Sequence, residues 1–415
     1  MIDVEKRAIR VRNASRVLCN ATTTKKNALL KMIARQLKSE SHQITKANAA
    51  DLSAARRSGL SEILLDRLTL SEKRITQMIA GVEDVIGLPD PVGEVLERRK
   101  RPSGLLIEKI RVPIGAVGII YEARPNVTID ATALCLKAGN TTLLRGGSEA
   151  IRTNSRLVGI VKEALSKVGL PTSAVEFLNT PNRKAVAEML RQDRYLDVII
   201  PRGSHKLIDY IRQKSSVPVI AHGEGNCHVF VDSSANLKEA EEIVFNAKVQ
   251  RPSVCNAAEK LLVHKKIAKT FLPKIAERLR SANVELRGDS GTLSIIDDAM
   301  PATEDDWYRE YLDLVLGIKI VKNVDEAIEH INHYGSHHSD SIVTGNRRNG
   351  EKFLQEIDSA AVYINASTRF TDGFEFGLGA EIGISTQKLH ARGPMGLAEL
   401  TTIKYKVHGT GQIRK

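Results

Sequence analysis

Gly115-Ala116-Val117-Gly118-Ile119-Ile120-Tyr121 decides how the chain is read. The run is apolar on both alternating sides, as expected of a strand buried on both faces of a helix-covered parallel sheet. Helical spacing follows from Val127 to Lys137 and stops at Gly139, a usual helix terminator. The alternation then repeats downstream. Strands are expected at Thr141–Leu144, Ala174–Leu178, Leu196–Ile200 and Val217–Ala221. Helices are expected from Glu149 to about Val168, at Arg183–Arg191 and from Gly203-Ser204-His205 to Gln213. This order argues a doubly wound α/β domain whose ligands lie at the carboxyl ends of its strands.

Upstream, Val4 to about Gly87 is helical, with Ala28, Leu29, Met32, Ile33 and Leu37 at three- and four-residue spacing. Thr22-Thr23-Thr24 is a plausible cap, and Leu88-Pro89-Asp90-Pro91 ends the helical region. Gly93 to Val112 reads as an extended hairpin. Downstream, His222-Gly223-Glu224-Gly225-Asn226 breaks the pattern before a second α/β alternation. Its strands are expected at Cys227–Val231, Lys260–Val263, Leu314–Val321, Asp340–Val343 and Ala360–Ile364, and its helices at Leu237–Lys248, Ala268–Arg280 and Asp325–His333. A Gly-rich loop and a last strand, Leu400 to Val407, close the chain.

The chain has 415 residues, enough for two or three cores. It contains no apolar run long enough to cross a membrane. Its net charge of +12 invites anionic partners, but aromatics are only 4%, which leaves few platforms for stacking bases. Small anions are therefore a better expectation than nucleic acid. Cys19, Cys135, Cys227 and Cys255 are far apart and form neither a zinc pattern nor a disulfide framework. Four free thiols in a reducing cytoplasm, with no metal, is the expected state.

Val249-Gln250-Arg251-Pro252-Ser253-Val254-Cys255-Asn256 places one cysteine in a loop between a helix and a strand. Such a thiol is either a nucleophile or a small buried hydrophobe. Arg145-Gly146-Gly147-Ser148 and Arg202-Gly203-Ser204 each follow a strand and open a helix, where an anionic cofactor could rest. No G-x-G-x-x-G accompanies them.

Taken in order, these residues resemble the aldehyde dehydrogenase superfamily. The resemblance runs through Pro113-x-Gly115, Arg124-Pro125-Asn126, the Gly203-Ser204 turn, the Cys255 loop and Glu310. Four further segments narrow it to the branch that reduces an acyl phosphate: 121–128, 144–150, 250–256 and 377–386. The implied fold is aldehyde dehydrogenase-like, with two doubly wound α/β domains and a small β oligomerisation element. The cofactor domain would take 1–92 and 113–222, and the catalytic domain 223–385. The oligomerisation hairpin and C-terminal strand would take 93–112 and 386–415.

The implied activity is NADPH-dependent reduction of L-glutamyl 5-phosphate to L-glutamate 5-semialdehyde and phosphate through a cysteine thioester, in proline biosynthesis. Cys255 would be the nucleophile, with oxyanion donors from the Asn126 side chain and the Cys255 N–H. Arg145, Gly146, Gly147, Ser148, Gly203, Ser204 and Glu310 would hold NADP, with Arg145 favouring its extra phosphate over NAD. Arg124, Ser367, Thr368 and Arg369 are the substrate candidates. A homo-oligomer, at least a dimer, and a glutamate kinase are the implied partners. Hydrolytic relatives keep a water-activating glutamate near 222; here His222 falls at or near that place, or Glu224 with a small shift. Rival readings are an oxidising dehydrogenase for free aldehydes and a thiol acyltransferase or hydrolase that uses no nicotinamide.

Overall fold

A computed structural model of the chain describes residues 3–221 and 223–414. It divides into two compact units. One comprises Met1–Ala221, Leu378–Gly383 and Met395–Lys415, and the other His222–Gly377 and Ile384–Pro394.

The first unit begins with five helices: α1 (Val4–Leu18), α2 (Thr23–Ser39), α3 (Ser41–Arg57), α4 (Glu62–Leu68) and α5 (Glu72–Gly87). Thr22 caps α2 by accepting from the Lys25 N–H, which satisfies a donor that the first helical turn cannot. In α1 the spacing of Val4, Ala8, Val11 and Leu18 makes one buried stripe. Strands β1 (Val95–Lys100) and β2 (Leu106–Pro113) form the expected hairpin. The C-terminal strand Thr401–His408 pairs antiparallel with β2 along its whole length.

Then come β3 (Ala116–Tyr121), α6 (Val127–Lys137), β4 (Thr141–Arg145), α7 (Ile151–Lys167), β5 (Val175–Phe177), α8 (Lys184–Met189), β6 (Val198–Arg202) and α9 (His205–Lys214). The four strands lie in the order β5-β4-β3-β6, all parallel. Every residue of β3 is buried, as its apolar run demands. The chain leaves β3 toward β4 on one side and returns to β6 on the other. That reversal opens a crevice at the carboxyl ends of β3 and β6. The expected strand Val217–Ala221 is reduced to a single bridge between Ile199 and Val219. Pro218 has no N–H to donate on one side of this bridge and Pro201 of β6 has none on the other, so the ladder cannot extend.

The second unit contains β7 (Cys227–Val231), α10 (Leu237–Val249), β8 (Ala258–His264), α11 (Ala268–Ser281), β9 (Glu285–Gly288), α12 (Ser290–Leu293), β10 (Met300–Pro301), α13 (Glu304–Tyr308), β11 (Val315–Val321), α14 (Val324–Tyr334), β12 (Ser339–Val343), α15 (Arg347–Glu356) and β13 (Ala361–Ile364). Its parallel sheet runs β10-β9-β11-β8-β7-β12-β13. Val229, Val231, Leu261, Val263 and Ile318 from the central strands pack with Phe271, Leu272 and Ile275 of α11. Helix α15 and strand β9 were not anticipated from the sequence. The side chain of Asn346 accepts from the Arg348 and Asn349 N–H groups and starts α15. That asparagine was the available signal.

Candidate active site

In the first unit, the loops after β3, β4 and β6 line a cavity of about 740 Å³. Arg145, Gly147, Ser148 and Ser204 line it, together with Tyr121, Glu122, Glu149, Arg183 and Lys206. A Cβ on Gly146 would meet the buried Asn154 and the Tyr121 ring, so that position favours glycine, and one on Gly147 would displace the Glu149 carboxylate. Arg145 is only 8% exposed. It donates to the Gly146 carbonyl at 2.7 Å, yet its Nε has no hydrogen-bond partner. Burial pushes Arg145 below its usual range, with Glu149 opposing. A buried cation with an unused donor, flanked by the exposed Arg183 and Lys206, fits a phosphate-bearing dinucleotide. Arg183 and Lys206 escaped the sequence reading because neither sits in a glycine loop. The sheet topology brings them there.

The segment after β3 is strained. Ala123 adopts φ 33°, and its N–H donates to Glu149 Oε1 at 2.7 Å. Left-handed backbone at alanine persists only where surroundings impose it. Arg124 beyond it is exposed. The Asn126 amide donates to Asp130 Oδ2 at 2.8 Å, one helical turn ahead. Burial pushes the Asp130 carboxyl up to about 6, against the Asn126 bond and Arg202.

In the second unit, Cys255 is half-buried in the turn that precedes β8. Several groups immobilise that turn. The buried Cys227 thiol donates to the Cys255 carbonyl at 3.1 Å. The Asn256 amide donates to the Thr371 carbonyl at 2.9 Å and to the Arg369 carbonyl at 3.3 Å. Gly225 lies flat against the turn: a Cβ there would stand 1.7 Å from the Cys255 carbonyl oxygen. The Gly225 N–H donates to Glu310 Oε1 at 2.8 Å, so Glu310 is brought to the cysteine turn.

The loop of Glu310 is itself anchored from inside. Buried Lys260 donates to the Arg309 carbonyl at 2.7 Å and to Asn226 Oδ1 at 2.8 Å. Buried Glu259 accepts from the Leu312 N–H at 3.2 Å and from Lys248 at 3.1 Å. Burial pushes the Lys260 ammonium down and the Glu259 carboxyl up, while their mutual attraction opposes both. Lys260 read in sequence only as the first residue of an apolar strand and Glu259 lay just before it, so their anchoring role was missed.

The expected substrate loop divides. Arg369 is half-buried; its Nε donates to Gln250 Oε1 at 2.8 Å, and it lies close enough to feel Arg251 and Cys255. Thr368 has no exposed surface, and its hydroxyl donates to the Asn256 carbonyl at 2.7 Å. Ser367 is 5% exposed, and its oxygen accepts from the Arg369 N–H. Both hydroxyls are thus engaged with neighbouring backbone and shielded from solvent. Arg251, adjacent to Arg369, is the cation the sequence reading passed over. His222 lies outside the described residues, and Glu224 is exposed. Cys135 is fully buried, as Cys227 is, and burial pushes it up to about 12.

A half-exposed cysteine in a fixed turn, a carboxylate beside it and a dinucleotide-sized cavity on a doubly wound sheet define a cysteine-dependent nicotinamide oxidoreductase. A model of the aldehyde dehydrogenase family matches residues 3–295, and the chain belongs to that family. Within it, the relatives are narrower in kind. The chain is 56% identical over 415 residues to the gamma-glutamyl phosphate reductase of Thermotoga sp. (strain RQ2), with 100% of both covered. It is also 56% identical over 406 residues to that of Clostridium botulinum (strain Eklund 17B / Type B), with 98% of each covered. The crystal structure of gamma-glutamyl phosphate reductase from Thermotoga maritima superposes with a TM-score of 0.98 at 55% identity, covering 100% of each chain. An acetylating aldehyde dehydrogenase from Geobacillus thermoglucosidasius shares the fold, with a TM-score of 0.69 at 16% identity over 99% of this chain and 97% of that one.

Proposed function

We propose that this chain reduces L-glutamyl 5-phosphate to L-glutamate 5-semialdehyde and phosphate with NADPH, the second step of proline biosynthesis. The observation that carries this reading is the immobilised Cys255 turn, in a chain 56% identical from end to end to gamma-glutamyl phosphate reductases. Cys255 as thiolate attacks the acyl carbon. The negative charge that develops on the carbonyl oxygen needs fixed donors, for which the Cys255 N–H and the Asn126 amide are the candidates. The C–O bond to phosphate breaks, phosphate leaves with its electron pair, and a thioester remains on Cys255. A reduced nicotinamide, when bound, supplies the hydride for that carbon. The resulting thiohemiacetal releases the aldehyde and returns the thiolate. Arg369 and Arg251, with Arg124, supply the cations that an anionic substrate requires.

Phosphate dependence tests the reaction class. In the oxidising direction, turnover of glutamate 5-semialdehyde with NADP+ should require inorganic phosphate, which takes the acyl group from the thioester. Equal turnover with and without phosphate would mean water takes it, and the oxidising aldehyde dehydrogenase would be the better description.

NADP is preferred to NAD because Arg145, Arg183 and Lys206 converge on one cavity. Arg145→Ala should raise the KM for NADPH by about tenfold, the value of one charge-assisted bond, and the KM for NADH much less. Equal effects on both cofactors would remove Arg145 from the extra phosphate.

The assembly is proposed to be a homo-oligomer. Ile403, Tyr405 and Val407 are exposed on one face of the C-terminal strand, and Val95 and Leu96 are exposed on β1. A second copy covering this sheet would bury them. The labile acyl phosphate must come from a glutamate kinase. A reducing cytoplasm suits four free cysteines.

A further inference from the structure

We propose that the Glu122 carboxylate is a built-in stand-in for the cofactor's diphosphate: it holds the amino end of α9 until that anion displaces it. The proposal rests on the reading that the cavity of the first unit takes a nicotinamide dinucleotide.

Helix α9 starts at the edge of that cavity, and its N-cap residue Ser204 has no side-chain cap. The first N–H groups of a helix lack partners within it and favour an anion. Here the anion comes from the chain. The Ser204 N–H donates to Glu122 Oε2 at 2.7 Å, and the Ser204 hydroxyl reaches Glu122 Oε1 at 3.4 Å. The absence of a side chain at Gly203 leaves the room in which the Glu122 carboxylate lies, since a Cβ there would meet that carboxylate and Leu207.

A second, independent observation says the same space serves a ligand. Arg145 is more than nine-tenths buried, lines the same cavity and keeps an unpartnered Nε. That Nε is shut off from solvent, so a ligand would meet the guanidinium at its small exposed edge, where a phosphate would offset the cost of burying the cation. Arg183 and Lys206 line the cavity as well. The wall thus carries three cations and two carboxylates: Glu149, which accepts from the Ala123 N–H, and Glu122, already engaged with the helix end.

A diphosphate and a carboxylate cannot share the Ser204 N–H, since like charges at contact repel. The backbone of Glu122 is fixed, with its N–H donating to the Arg202 carbonyl at 3.1 Å. Its side chain is half-buried and can rotate away without moving the strand. The device has two effects. It keeps the helix end ordered when no dinucleotide is present. It also makes every dinucleotide compete with an internal anion, which weakens binding and speeds release of the oxidised form.

The test is NADPH binding followed by nucleotide fluorescence, with wild type and Glu122→Gln compared at one ionic strength. Glutamine keeps the length but loses the charge, so the dissociation constant for NADPH should fall roughly three- to tenfold. Inorganic pyrophosphate, as a competitor, should gain in the same direction. Unchanged or weaker NADPH binding by Glu122→Gln overturns the proposal. A wild type that binds no NADPH defeats the cofactor reading, and the proposal with it; a wild type that binds, with a variant no tighter, defeats the proposal alone. Should Glu122→Gln not fold, a crystal structure of the wild type with NADP+ decides. A carboxylate swung off Ser204 supports displacement, and one still bonded to the Ser204 N–H overturns it.

Discussion

Cys255→Ala is expected to lose turnover by at least about 10⁴-fold, because it removes the atom that carries the acyl group. No neighbouring thiol can replace it. Cys227 is buried and donates to the Cys255 carbonyl, and burial raises it well above a reactive range. Cys135 sits at zero exposure in the other unit. Alanine leaves the backbone of the turn intact, since its anchors are the Cys227 thiol, the Asn256 amide and the Thr368 hydroxyl. NADPH should therefore bind the variant within about twofold of wild type, the scatter expected for a small side-chain change outside the site. Single-turnover absorbance of NADPH, with glutamyl phosphate generated in place by a kinase, measures the chemistry. Fluorescence titration measures the binding. Activity near wild type would show that the acyl group never rests on Cys255. A loss of NADPH binding equal to the loss of turnover would show that the thiol mattered only to the fold.

Gly225→Ala is expected to be the most damaging substitution outside the reacting atoms, with kcat lower by about 10²-fold or more. The added methyl would need the space of the Cys255 carbonyl, which is backbone and cannot rotate aside. Either the cysteine turn moves, or Gly225 itself moves and withdraws its N–H from Glu310. Both displace a reacting group by about an ångström, enough for a loss of that size. Two readouts separate the routes. A shifted turn lowers the rate at which iodoacetamide alkylates Cys255. A shifted Gly225 weakens NADPH binding while alkylation stays near wild type, if Glu310 serves the nicotinamide end. Turnover close to wild type with only a lower melting temperature would mean that the turn relaxes around the methyl group, and the contact would then be structural alone.

Much of this was legible in the chain before any coordinates. The buried strand Ala116–Tyr121 announced itself by having no polar side, and the expected helices Val127–Lys137 and Ala268–Arg280 lie within a residue of their observed ends. Short elements were harder. Strand β9 has only Leu286 and Gly288 buried and no apolar run to betray it. The expected strand at Val217 failed because two prolines, Pro218 and Pro201 of β6, remove the donors on which a ladder depends. The motif glycines pointed to loops that line the cavity, because close backbone approach has a residue-type requirement. The cations Arg183 and Lys206, and the buried anchors Lys260 and Glu259, carried no such mark. Nothing in the sequence distinguishes them from any other surface arginine or charged strand residue.

The location of the nucleophile shows where sequence stops and tertiary structure begins. Ligands of a doubly wound sheet are expected at the carboxyl ends of its strands, and the cavity of the first unit obeys that rule. In the second unit the rule does not place Cys255. The cysteine precedes β8, Gly225 precedes β7 and Glu310 precedes β11, so this cluster lies at the amino ends of three neighbouring strands. The sequence by itself determined the alternating α/β pattern, the loop that carries the thiol and the glycines that let backbones touch. These follow from local periodicity and from what one side chain forbids. The pairing order β11-β8-β7, the immobilised turn and the carboxylate of Glu122 at the head of α9 come only from the folded chain. Each depends on residues more than 25 positions apart meeting across a sheet or loop, and their side chains acquire a role only from the neighbours they meet.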